Sequence, residues 1–151
     1  MSLRERLQAE LKDAMKAREV DRLSTLRLIN AAIKDREIAA RGEGGGELTD
    51  ADLLAILGKM VKQRQESARA YEEGGRLELA EKELAEIKVI EEFLPRQLGA
   101  DEVAAAIDAA IAETGATGLR DMGRVMGVLK ARHTGQMDFA AAGAAIKARL
   151  G

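Results

Sequence analysis

Residues 48–75 read LTDADLLAILGKMVKQRQESARAYEEGG. Thr49 offers a side-chain oxygen at an N-cap, and Asp52 stands three residues on as the capping-box carboxylate. Leu48 and Leu53 are placed to close a hydrophobic staple. Leu53, Ile56, Leu57, Met60 and Val61 then recur at helical spacing as core candidates. The segment turns polar through KQRQESAR, and Gly74-Gly75 stops it after Tyr71. A start, an apolar face and a stop within one segment predict a long amphipathic helix.

The rest of the chain follows the same grammar. Ala, Leu, Glu, Lys and Arg dominate its 151 residues, against one Pro, one Tyr, two Phe and no Trp. That usage favours helices and starves a sheet of its preferred residues, so the expected class is all-α. Upstream, Leu3, Leu7, Leu11 and Met15 with Ala14 predict a helix over about 2–18. Asp21 is the expected N-cap of a second helix, with Leu26, Ile29 and Ile33 inward, Leu23 and Ala32 beside them, fading near Ala40. The run Gly42 to Gly46 reads as a flexible link, because it lacks both the Lys-Ser/Thr of a phosphate loop and a preceding strand.

Downstream, Leu77, Ala80, Leu84, Ile87 and Leu94, with Ile90 adjoining, predict a fourth helix ended by Pro95. The only proline opens LPRQLGADE, where composition changes. This places the boundary between an N-terminal domain of about four helices, 1–95, and a C-terminal domain, 96–151. In the latter, Leu98 and Val103 can staple a helix with Glu102 at N3 behind Gly99; it carries Val103, Ile107 and Ile111. A sixth helix is expected over about 119–132, with Met122, Val125, Met126 and Leu129 inward. A seventh runs from Asp138 as cap through Phe139, Ala142, Ile146 and Leu150.

Composition excludes several functions. With no Cys and a single His, there are neither disulfides nor thiol chemistry, and no cluster has metal-ligand spacing. No catalytic constellation, cofactor loop or metal site is expected. No window approaches the ~18 uninterrupted apolar residues of a membrane span, and the expectation is a cytoplasmic protein with no membrane partner. The acidic side chains of the fourth helix, Glu81, Glu83, Glu86, Glu91 and Glu92, alternate with Lys82 and Lys88 as a solvated face.

Charge is uneven although the net is -2. Residues 117–151 carry six basic and two acidic side chains, whereas 99–116 carry four acids and no base. Arg120, Arg124, Lys130 and Arg132 gather on the sixth helix, with Lys147 and Arg149 on the last, a pattern suited to phosphate. His133, at the expected end of the sixth helix, either caps carbonyls or meets a ligand phosphate. Gly123 and Gly127 share one face of that helix, where each costs ~1 kcal/mol against Ala. Tight packing inside the unit or close approach by a ligand would offset the cost, and Gly143 makes a similar opening. Without an aromatic ladder, RNA would be met through backbone and shape. A second basic cluster, Lys59, Lys62, Arg64 and Arg69, wraps around more than one face and reads as surface.

The strings LSTLRLINAAIKDREI (23–38), KMVKQRQESARAYEEGGRLELAEKELAEIKVIEEFLPRQL (59–98) and DMGRVMGVLKARHTGQMDFAAAGAAIKARL (121–150) resemble the YqeY-like family along nearly the whole chain. The last string is also similar to the C-terminal tail of the B subunit of the aspartyl/glutamyl-tRNA amidotransferase, with its Gly-x-x-Met-Gly helix, Gly-containing turn and final helix ending in Leu. The resemblance implies an N-terminal helical domain, a C-terminal three-helix domain, and a partner that is tRNA or a tRNA-processing protein complex. Carried over by position, the implied binding residues are Gly123, Met126, Gly127, Lys130 and Gly135, with Arg124 where a polar or basic residue is usual. Kinship also carries the label of a carbon–nitrogen ligase using glutamine as amide donor. The kinase-like domain of the B subunit and the amidase Ser-Ser-Lys apparatus have no counterpart here. A protein-interaction adaptor with a Gly-lined groove is the alternative.

Overall fold

A computed structural model describes residues 1–151. The fold is all-helical: α1 (Leu3–Ala17), α2 (Val20–Gly42), α3 (Asp50–Glu73), α4 (Leu77–Glu91), α5 (Ala100–Thr114), a 3-10 turn (Leu119–Asp121), α6 (Met122–Arg132) and α7 (Phe139–Leu150). The chain separates into two compact units, Met1–Leu94 and Pro95–Gly151.

In the first unit α3 begins as its sequence dictates. The Thr49 Oγ1 accepts from the Asp52 N–H at 3.2 Å, and the Asp52 carboxylate accepts from the Thr49 N–H at 2.8 Å. These bonds satisfy two helix-end donors and hold the Asp52 carboxyl below its ordinary range. Its far end closes through Gly75, whose φ of 74° lets the Arg76 N–H reach the Tyr71 carbonyl at 2.7 Å. Leu53, Leu57 and Met60 then meet Leu26, Ile29 and Ile33 of α2, Leu3 and Leu7 of α1, and Ile90 and Phe93 at the end of α4.

Three local expectations are corrected. Met15 is 52% exposed while Ala14 is buried. Side chains four apart advance about 40° around a helix of 3.6 residues per turn, so the row Leu3, Leu7, Leu11, Met15 walks off the core and Ala14 stays on it. Asp21 does not cap α2. Arg18 takes a left-handed conformation (φ 55°), the Glu19 N–H returns to the Ala14 carbonyl, and α2 starts at once, leaving Asp21 in its first turn. On α4 the inward line is Ala80, Ile87 and Ile90, while Leu77 and Leu84 are exposed; the helix ends at Glu91, and Glu92 to Leu94 form tighter turns before Pro95.

That end of α4 is clamped. Arg22 of α2 donates to both oxygens of the Glu92 carboxylate at 2.6 and 3.0 Å and to Glu10 at 2.9 Å. Arg6 donates to the Glu92 carbonyl and stacks over the Phe93 ring, 5.4 Å from its centre.

The second unit packs Ile107 and Ala110 of α5, Val125 and Leu129 of α6, and Ala142 and Ile146 of α7 around one small core. Asp138 caps α7 by accepting from the Ala140 and Ala141 N–H groups. The segment Pro95–Gly99 enters through a bidentate Arg96–Glu102 pair at 2.8 and 2.9 Å and the Gly99 N–H on Glu102 at 3.1 Å. Together these push the Glu102 carboxyl down to about 2.

Candidate nucleic-acid interface

α6 is short, and its two faces differ sharply in chemistry. Val125 and Leu129 are fully buried, with Met122 and Met126 partly so; Gly123, Gly127 and Ala131, each four apart, lie exposed on the other side. A Cβ added at Gly123 or Gly127 would meet nothing within 4 Å. Tight packing inside the unit therefore does not account for these glycines, because both face open space. Gly143 differs: a Cβ there would lie 3.2 Å from the Met126 Cε. Gly135 has a local reason, since it sits in the α6–α7 turn with a φ of 75°.

The helix is launched by a carboxylate that sequence patterning missed. Asp121 turns back to accept from the Thr117 N–H at 3.0 Å and the Gly118 N–H at 3.4 Å, and closes on the Arg124 guanidinium at 2.7 Å. The Thr117 N–H first, then Arg124, hold this carboxyl down to about 2. Arg124 also donates to the Thr114 carbonyl at 3.2 Å, which fixes its stem, yet its side chain remains 61% exposed.

The basic residues divide. Arg120, Lys130 and Lys147 are exposed and form no ion pair or side-chain hydrogen bond. Arg132 is drawn to Glu113 of α5 at 2.5 Å, and Arg149 to Asp108 of α5 at 2.8 Å. Acids from α5 thus compensate part of a cluster that looked uncompensated along its own segment. The unit as a whole carries seven basic against six acidic side chains. What remains open is the outer face of α6: Arg120 at its head, Arg124 and Lys130 along it, and the exposed glycines in the same helix.

His133 is the C-cap residue of α6, with its N–H on the Leu129 carbonyl. Its Nδ1 lies 3.0 Å from the Gln136 Oε1, so the ring serves the turn rather than the last carbonyls. Thr134 takes the capping role through its hydroxyl, which donates to the Lys130 carbonyl.

Elsewhere, Arg64 of the second basic cluster pairs with Glu86 across the α3–α4 hairpin at 3.0 Å, each side chain only 15% exposed. An open cavity of about 530 Å³ between α1, the end of α2 and the glycine loop is crossed by the Arg4–Glu37 pair at 2.6 Å. No helix is long and apolar enough to cross a membrane.

Comparison with known proteins places this architecture. A protein of Clavispora lusitaniae named Altered inheritance of mitochondria protein 41, mitochondrial, is 40% identical over 88 residues, covering 58% of this chain and 49% of the relative. Its namesake in Eremothecium gossypii is 34% identical over 113 residues, covering 74% and 60%. An uncharacterized protein of Schizosaccharomyces pombe is 34% identical over 89 residues, covering 59% and 69%. The matched part thus spans about half to two thirds of these curated relatives. Their names correct the expected cytoplasmic location, since similar proteins are mitochondrial. Lack of Cys and of a long apolar run does not separate one aqueous compartment from another. The YqeY model, described as Yqey-like protein, matches residues 4–150, and the chain belongs to the Yqey-like protein family.

Proposed function

We propose that this protein is a non-catalytic accessory module that engages tRNA, or a complex acting on tRNA, through the outer face of α6. The observation that carries the reading is the pair of unobstructed glycines, Gly123 and Gly127, in the helix that also presents Arg124 and Lys130, with Arg120 in the 3-10 turn that leads into it. Gly127, inside the helix, costs about 1 kcal/mol against Ala, and Gly123 lies in its first turn; no neighbour in the unit requires either. A bare helix surface lets a bulky backbone come close, and the flanking cations supply the attraction that a polyanion needs. The likeness of residues 121–150 to the amidotransferase B-subunit tail supports tRNA as the polyanion.

Replacing Arg120, Arg124 and Lys130 together with Glu is expected to abolish tRNA retention in a low-salt filter assay. Wild-type affinity should fall steeply with salt. Unchanged retention would overturn the reading. The same open glycines favour one second reading, a partner helix seated on α6. That reading predicts a protein partner that survives nuclease treatment and is lost in Gly127→Leu while the fold is kept.

A further inference from the structure

We propose that His133, locked by Gln136 in the Nδ1–H form, presents Nε2 as a hydrogen-bond acceptor for a ribose hydroxyl of bound RNA. This rests on the RNA-binding reading above and names one contact within it.

The proton assignment follows from heavy atoms. The Gln136 Nε2 stands 3.2 Å from the Arg96 carbonyl, which can only accept, so the amide nitrogen must face it. The amide oxygen then faces His133 Nδ1 at 3.0 Å, and an oxygen there requires Nδ1 to carry the hydrogen. The amide has little freedom to turn over. Its own main chain is tied down by the Leu98 N–H on the Gln136 carbonyl at 2.9 Å, and the neighbouring Gly135 carbonyl accepts from the Gln97 side chain at 2.7 Å. Arg96 is in turn held on both oxygens of Glu102.

In the neutral ring, Nε2 is therefore the lone-pair nitrogen. It has no partner within the protein, and since no buried side-chain nitrogen or oxygen is left unpaired, Nε2 reaches solvent. A lone pair repels phosphate oxygens, so the neutral ring cannot serve as the phosphate contact expected from sequence. Of the groups on an RNA backbone, the 2′-hydroxyl is the one that donates. Lys130 precedes His133 by three residues, within one turn, and its unpaired ammonium is the donor for a phosphate. An acceptor beside a cation matches the alternation of hydroxyl and phosphate along ribose chains, and it would distinguish RNA from DNA.

The experiment compares a tRNA transcript with the all-deoxy strand of the same sequence, using the full chain, its His133→Phe variant and its Gln136→Leu variant. Helicity by circular dichroism verifies the fold. His133→Phe is expected to weaken the transcript roughly fivefold, the worth of one hydrogen bond, and to leave the deoxy strand unchanged. Ring 15N shifts are expected to show the Nδ1–H tautomer in the wild type and its loss in Gln136→Leu. An Nε2–H tautomer in the wild type, or equal losses for both strands, would overturn the contact while the RNA-binding reading stands. Absence of transcript binding by the wild type would overturn both.

Discussion

The core of the first unit is built from large aliphatic side chains, Leu26, Ile29, Leu53, Leu57 and Ile90, and closed by Phe93. The core of the second sets Ala110 and Ala142 among Ile107, Val125, Leu129 and Ile146. Their treatment of charge differs as well. Arg22 of the first unit is enclosed by Glu92 and Glu10 and Arg64 by Glu86, whereas α6 leaves Arg120 and Lys130 unpaired beside bare glycines. The first unit directs its strongest polar contacts inward to hold helices together. The second ties α6 and α7 to α5 through Arg132–Glu113 and Arg149–Asp108 and leaves the outer face of α6 without such pairs at Arg120 and Lys130.

The largest test of this contrast is cavity formation. Leu57→Ala, at a site with no exposure, should destabilise the first unit by about 3 kcal/mol, and Leu129→Ala should remove a similar amount from the second. In a core of so few large side chains the latter loss is the more damaging. Amide hydrogen exchange should accelerate over α1–α4 in the first variant and over α5–α7 in the second. Equal acceleration throughout in both variants would break the distinction.

A smaller effect of opposite sign sharpens it. Gly127→Ala should stabilise the second unit by about 1 kcal/mol, since the added methyl enters open space on an exposed helical position. Thermal melting should register the gain while tRNA retention falls. Gly143→Ala should bring a smaller gain, because the Met126 tip in its way is flexible and can yield, and should leave tRNA retention unchanged.

The smallest concerns acid. Glu102 and Asp121 have carboxyls held at about 2 in the folded second unit, below the ordinary value of about 4. Their contribution is present above pH ~4 and is lost as pH falls towards 2. Glu102→Gln combined with Asp121→Asn should flatten the decline in stability across that window, as followed by urea melts at successive pH values.

Local signals were readable where a residue and its partner lie within a few positions. The Thr49–Asp52 box, the Asp138 cap and the inward positions of α6 belong to this class, and with them the all-helical fold. Contacts between elements were not readable. Arg132 finds Glu113 nineteen residues away and Arg149 finds Asp108 forty-one away, so a cluster judged by its own segment looked more cationic than it is. Asp121 escaped notice because the two backbone N–H groups it accepts from, those of Thr117 and Gly118, precede it in a tight turn. Whether Gly123 and Gly127 faced a neighbour or solvent depended on how α5 and α7 pack around α6, which periodicity alone does not decide.

The open surface of α6 bears on how this molecule responds to laboratory selection. Libraries sorted only for heat tolerance would enrich alanine at positions 123 and 127, and on the reading proposed above the winners would be sturdier proteins with the surface assigned to a partner obstructed. Sorting for partner capture and for heat tolerance should therefore pull these two codons in opposite directions.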